Sequence, residues 1–583
     1  MNNGDEKARR NGHGQPIHPV DEFVHVKGGP PKSTFSWSAV SCRAIVLFVW
    51  GVTPVSWLYV ARSLLSPPHS RGLAYIGHVC LLSYASAEVA FSLYYKYLVH
   101  ISQVQPPLPA YGRSFLRQTL SRALEDGMKL EDAESLEANH QKDTTKRAPR
   151  PRFSNGNFSQ LSFLDKRYPL SKNDPRAIDW RNMFSNWFLG KKWSELGREN
   201  VLEWLAWSCF SRSFEDVLLE WEQEGRPILP ETLQNAEEIL SETKEDDEPR
   251  GKLGFLYSAL YMLESRAGMT LPEGRAQAKS IRLQLDPVRA TSRPLAKYLV
   301  TAFFNVLLQQ RAERAGFVKY DEADLEYLIR IPQGWVSGKE ETAPTVFIHG
   351  LGMGLAQYAA LVSYFEQHPS VRKRPLVLLI QPHLSMSFFH PLHRKPPNKE
   401  SMNKGLRALV ARWGFADDGI TVISHSNGTI VASWLLKDCP DLVKRSCFVD
   451  PVTFCLWEPE VAYNFLYSTP KTGIEILMRY FVGEELGIAL MLQRYFDWSA
   501  NILWFEEIPK PLDNYRTAYF IAEKDAILDA KRTTRYLTDH GVRKVADGGN
   551  LRFLLGQAHG ESLITGGPTL AAVMEWLTMK DTL

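Results

Sequence analysis

The chain has 583 residues, of which 68 are Lys or Arg and 65 Asp or Glu, for a formal charge of +3. Its length exceeds the roughly 100–200 residues of one ordinary core, its 44% hydrophobic content excludes disorder throughout, and the balance of charge leaves no field favouring nucleic acid. The six cysteines, Cys42, Cys80, Cys209, Cys439, Cys447 and Cys455, form no C-x-x-C pair, which argues against a disulfide framework or structural zinc and points to a reducing compartment.

Residues 1–40 are polar, with no apolar run near Met1, and predict a disordered tail rather than a cleavable signal. Ala44 to Ala61 (AIVLFVWGVTPVSWLYVA) is uncharged between Arg43 and Arg62 and carries Trp50, Trp57 and Tyr59, side chains suited to a bilayer interface. A span needs about 20 mainly apolar residues, so this segment predicts a membrane helix. Leu73 to Val99 follows but holds His78, Glu88 and Lys96. A carboxylate at mid-bilayer costs roughly 2.5–3.5 kcal/mol, so a helical hairpin and one span with an interfacial helix both fit. Residues 41–102 therefore read as a membrane anchor.

Residues 103–179, with the run KRAPRPRFSNGN and scattered Pro, predict a polar tether holding one helix near Ser114–Leu136. Residues 180–316 show helical spacing in NVLEWLAWSCF and GFLYSALYMLE, hence a helical accessory region, and the stripe Trp204, Trp207, Phe210 reads as core rather than as a ligand box. After Gly316, short apolar runs bounded by Gly and Pro alternate with helical windows, the pattern of an α/β domain with a mostly parallel sheet over 317–583.

The chemistry lies in that last domain. The strand GITVI runs into Ser424-His425-Ser426-Asn427-Gly428 and then a helical window, a strand–turn–helix with Ser426 at its apex. Small residues two before and two after a nucleophile relieve crowding in such a strained elbow, and Ser424 fills a position where Gly is commoner. Upstream, the strand TVFI ends in His349-Gly350-Leu351-Gly352-Met353-Gly354. Here the chain resembles the α/β-hydrolase superfamily. The resemblance implies an oxyanion hole from the backbone N–H groups of Leu351 and Asn427, in a supporting loop with His349, Gly350 and Gly352. A dinucleotide-binding turn fits worse, because the spacing is G-x-G-x-G and the next strand ends at Gln381 instead of an acid.

A serine hydroxyl is a weak nucleophile and needs a His base oriented by a carboxylate. Asp525 follows the strand RTAYFIAEK and His559 lies in GQAHGES, giving the superfamily's chain order Ser, Asp, His. Asp450, after the strand RSCFV, is a rival acid. His383, His390 and His393 match no zinc spacing and read as loop residues near the site mouth; neither a metal nor a cofactor is expected. The aromatic-rich stretch 453–513 falls where the superfamily carries a helical cap.

These features predict a membrane-anchored serine hydrolase, of esterase or lipase type, acting on a hydrophobic ester or lipid; the alternatives are an acyltransferase or thioesterase, or a non-catalytic scaffold. The sequons at Asn157 and Asn427 bear on location, since a glycan beside Ser426 would obstruct the elbow. They predict an intracellular membrane with the catalytic domain facing the cytosol.

Overall fold

A computed structural model of the chain describes residues 37–66, 72–106, 111–128, 169–224, 251–323, 325–338 and 343–580. Most of the expected N-terminal tail, and Asn157, lie outside them.

Two long helices open the described chain, α1 (Trp37–Leu65) and α2 (Leu73–Ile101). They pair through polar contacts set in apolar surroundings: Thr53 Oγ1 donates to Glu88 Oε1 (2.6 Å), Trp57 Nε1 to Ser92 Oγ (3.1 Å), and the Tyr59 hydroxyl lies 2.7 Å from His78 Nδ1. The second oxygen of Glu88 accepts the backbone N–H of Leu295 (2.7 Å). A helix N-terminus offers orphan N–H donors and a positive dipole end, and Leu295 begins a helix. The acid that made this segment look doubtful as a membrane element is thus fully buried at a three-helix junction.

Residues 111–128 hold the helix expected within the tether. They form α3 (Arg113–Glu125), whose Leu116, Leu120 and Leu124 enter the main core beside Trp180 of α4 (Pro175–Phe184). The accessory region continues with α5 (Arg198–Phe210), α6 (Phe214–Gln223), α7 (Gly251–Ala267) and α8 (Leu295–Arg314).

Eight strands then form one sheet in the order β1-β2-β4-β3-β5-β6-β7-β8. They are β1 (Val318–Glu322), β2 (Leu325–Arg330), β3 (Thr345–Ile348), β4 (Leu376–Ile380), β5 (Ile420–His425), β6 (Val443–Val449), β7 (Thr517–Lys524) and β8 (Leu551–Ala558). Only β2 pairs antiparallel, with β1 and β4; the other pairings are parallel. Parallel strands are covered on both faces, which is why β3 and β5 are buried along their whole length. Helices α9 (Ala359–Gln367) and α14 (Pro568–Thr578) cover one face. Helices α10 (Lys399–Arg412), α11 (Gly428–Asp438) and α13 (Ala530–Asp539) cover the other.

The insertion between β6 and β7 carries α12 (Leu486–Arg494) and several shorter helices. It is tied to the accessory region: Trp187 Nε1 donates to Trp457 O (3.2 Å), Trp498 Nε1 to Ser208 O (2.8 Å), and Arg494 Nη1 to the carbonyls of Gln284 (3.0 Å) and Asp286 (2.9 Å). The start of α1 also reaches it, since a Cβ on Gly473 would lie 2.8 Å from Cys42 Sγ.

Candidate active site

Ser426 sits between the end of β5 and the start of α11 with φ +52°. A non-glycine residue in this region is strained and persists only where its surroundings hold it. Here Ser426 N donates to Val449 O (3.0 Å), and Thr429 Oγ1 donates to Ser426 O (2.6 Å). Glycine is required close by: a Cβ at 428 would lie 2.3 Å from Ile348 O, and one at 350 would lie 2.7 Å from the Ser426 Cβ. Ser424 takes the place of the commoner Gly by donating its hydroxyl to Cys447 O on β6 (3.2 Å).

The expected partners converge on this turn. His559, in the loop after β8, places Nε2 2.8 Å from Ser426 Oγ and Nδ1 2.5 Å from Asp525 Oδ2. Asp525, just past β7, uses its other oxygen to accept the N–H groups of Ile527 (2.8 Å) and Leu528 (3.1 Å), which fixes its plane. Burial alone would lower the imidazole pKa, but the charge and hydrogen bond of Asp525, with the charge of Asp450 behind it, outweigh burial and raise it. A strand–elbow–helix at the centre of a mostly parallel sheet with an antiparallel second strand, served by Asp and His from loops after the last two strands, has one known framework. The chain has the α/β-hydrolase fold.

No family model matches the sequence, and neither does any curated protein. Solved structures similar to this hydrolase fold include a membrane phospholipase A described as a bacterial virulence factor, 14% identical over 48% of this chain and 92% of its own, with a TM-score of 0.32. A naproxen esterase from Bacillus subtilis is 13% identical over 48% of this chain and 96% of its own, with a TM-score of 0.31. The carboxylesterase CesB from Bacillus subtilis is 10% identical over 48% and 99%, with a TM-score of 0.30. At these values the likeness is one of fold alone.

The rival acid, Asp450, does not bond the His559 ring. It has φ +44° and is fully buried; Oδ1 accepts Ala522 N (2.8 Å) and Oδ2 accepts Gly560 N (2.7 Å), so it clamps the loop that carries His559. Burial and the neighbouring Asp525 charge push its carboxyl up to about 6. Asp450→Asn removes a charge that stabilises the His559 imidazolium and leaves an N–H without its acceptor, a loss of about 1–3 kcal/mol. The acid limb of the kcat/KM profile should therefore move to lower pH; a limb that stays in place or moves up would contradict this assignment.

Leu351, Ser426 and Asn427 are among the residues that line an apolar cavity with about 690 Å³ of empty space, open mouth included. Among the described residues, neither the Leu351 N–H nor the Asn427 N–H has an acceptor within the protein. Gln357 staples the loop around them, donating to Leu351 O (3.1 Å) and accepting Met353 N (3.0 Å). Gly352, at φ +140°, has Gln357 where a Cβ would go. His349 is buried, its pKa lowered by burial to about 4, and its carbonyl accepts from Gln381 Nε2 (2.8 Å).

Tyr358 and His425 were not singled out by the sequence. The Tyr358 hydroxyl accepts Gly350 N (3.0 Å) and lies 2.7 Å from His425 Nδ1, bracing the two loops against each other. Nothing in their local spacing signals this role. Two of the three loop histidines are paired with acids, His390 Nε2 lying 2.6 Å from Glu326 and the buried His393 3.4 Å from Glu485, while His383 is buried with His349 among its titratable neighbours. Asp450, Asp525 and His559 bring donor atoms within 4.8 Å of one another. Both His559 nitrogens and both Asp450 oxygens are already engaged, so this donor set suits proton transfer rather than metal ligation.

Proposed function

We propose that the chain is a membrane-anchored serine hydrolase that cleaves a hydrophobic carboxylic ester. The carrying observation is the relay from Ser426 Oγ through His559 (2.8 Å) to Asp525 (2.5 Å), with Ser426 lining an apolar cavity. Ser426 Oγ attacks the ester carbonyl while its proton passes to His559 Nε2, and the Leu351 and Asn427 N–H groups receive the developing oxyanion. Collapse breaks the bond to the alcohol, which leaves with the proton from His559. Water, activated by the same imidazole, then hydrolyses the acyl-enzyme and releases the acid. Asp525 holds the ring and stabilises its charge. Hydrolysis of aryl esters by the full chain, stopped by a fluorophosphonate, tests this reading; esters left intact would oppose it.

Membrane attachment is supported by the surfaces of α1 and α2, whose most apolar windows average 1.8 and 1.3 in mean hydropathy and are 6% and 22% buried. The outer face of α8 adds Leu299, Val300, Phe303, Phe304 and Leu307, all substantially exposed. A contiguous apolar face of this kind calls for a partner, and α8 is joined to α2 through Glu88. The start of α1 and the end of α2 both meet the body, which supports reading the pair as a hairpin with the start of α1 and the catalytic domain on one side. The buried Asn427 sequon beside the nucleophile favours the cytosolic side. The protein should resist alkaline carbonate extraction and carry no glycan; an endoglycosidase-sensitive mass shift that vanishes in Asn157→Gln would place the domain in the lumen.

A further inference from the structure

A second apolar cavity lies beyond the first. It has about 600 Å³ of empty space, mouth included, and sits between α3, the accessory helices and the cap, with Leu120, Ala123, Met183 and Leu263 in its wall. Trp187, Trp207 and Trp498 line both cavities and form the partition between them. Each of these indoles has its one polar atom committed elsewhere: Trp187 Nε1 to Trp457 O (3.2 Å), Trp207 Nε1 to Gln284 Oε1 (2.5 Å) and Trp498 Nε1 to Ser208 O (2.8 Å). Apolar side chains make up most of both walls, with Gln284 and Glu458 also lining the first chamber and Ser208 and Trp204 the second.

An unfilled apolar cavity forfeits dispersion contacts along its walls, and residues that served only as core would close around it. The two spaces share a wall of three indoles, and a chain passing between those rings would follow a single path from Ser426 to α3. We propose that this path is a single acyl site for a long-chain fatty acyl group, with the accessory region building its far half. The proposal rests on Ser426 being the nucleophile. The carbonyl carbon sits at Ser426, the proximal methylenes pass Leu456 and Phe465 of the cap, the chain threads the three indoles, and its terminal methyl lies near Ala123 and Leu263. This gives α3, α4, α5 and α7 a part in substrate selection, and turns Trp207 from packing into a wall of the site.

The test uses the full chain in detergent and an alkyl fluorophosphonate of palmitoyl length carrying a diazirine at its terminal carbon. After reaction, illumination and peptide mapping, the expected result is one molecule bridging Ser426 to the far chamber, in the segments 116–124, 204–209 or at Leu263. An adduct on Ser426 whose tail crosslinks only to Phe465, Leu466 or Leu492 in the near cavity would overturn the proposal while leaving the nucleophile intact. No adduct on Ser426 would overturn both. As a second arm, Ala123→Phe should lower the ratio of kcat/KM for palmitoyl over butyryl aryl esters tenfold or more, since single methylenes in apolar pockets are discriminated by roughly 10–200-fold. An unchanged ratio in a folded variant would refute the far half of the site.

Discussion

Ser426→Ala should lower kcat for ester hydrolysis by about 10⁶-fold, the scale on which loss of a triad serine acts in a serine protease. The elbow is already strained by a Cβ at φ +52°, and alanine keeps that Cβ, so the fold and the thermal midpoint should hardly change. What disappears is the oxygen 2.8 Å from His559 Nε2. Binding of a long-chain ester should persist, because the apolar cavity is untouched. A variant with a tenth of the native turnover would mean that another group attacks the ester.

Asp525→Asn should cost roughly 10⁴-fold in kcat near neutral pH, as the equivalent change does in a serine protease. The carboxylate accepts from His559 Nδ1 with one oxygen and from two backbone N–H groups with the other. An amide can keep the backbone contacts only by turning its NH₂ toward the ring. It then favours the tautomer with its proton on Nε2, which cannot act as base toward Ser426. Loss of the Asp525 charge also removes the main force that raises the His559 pKa. If Asp450→Asn had the larger effect and Asp525→Asn a small one, the roles of the two acids would have to be exchanged.

The two acids show where sequence reading stopped. Both stand just past the end of a strand and before a turn, and composition alone does not separate them. Only the sheet places the Asp450 oxygens on the N–H groups of Ala522 and Gly560 and leaves Asp525 facing the ring. The elbow was legible because its strain is local: Ser426 needs Gly428 two residues on and Gly350 across the sheet, and such close approaches leave glycines in the sequence. Most strands were legible as apolar runs, since parallel strands are buried on both faces, but the mainly exposed, antiparallel β1, with the sequence VKYDE, was not.

Long-range partnerships were not legible. Glu88 looked like a liability in an apolar helix because its acceptor role is completed by Leu295, 207 positions later. The helix near Ser114 was expected, but its docking was not, because its apolar stripe, Leu116, Leu120, Ala123 and Leu124, is short and flanked by polar sequence. Of the stripe Trp204, Trp207 and Phe210, expected to be core, the two indoles are buried and Phe210 is partly buried, but helical periodicity reports burial and not whether the buried face meets side chains or a cavity.

The central claim, that Ser426 is an activated nucleophile, is tested most directly by mapping the site of covalent modification on the native full-length chain with a fluorophosphonate. The account predicts one adduct per chain, on the peptide containing Ser426, forming more slowly as pH falls and His559 becomes protonated. No adduct, or one confined to a different serine, would contradict it.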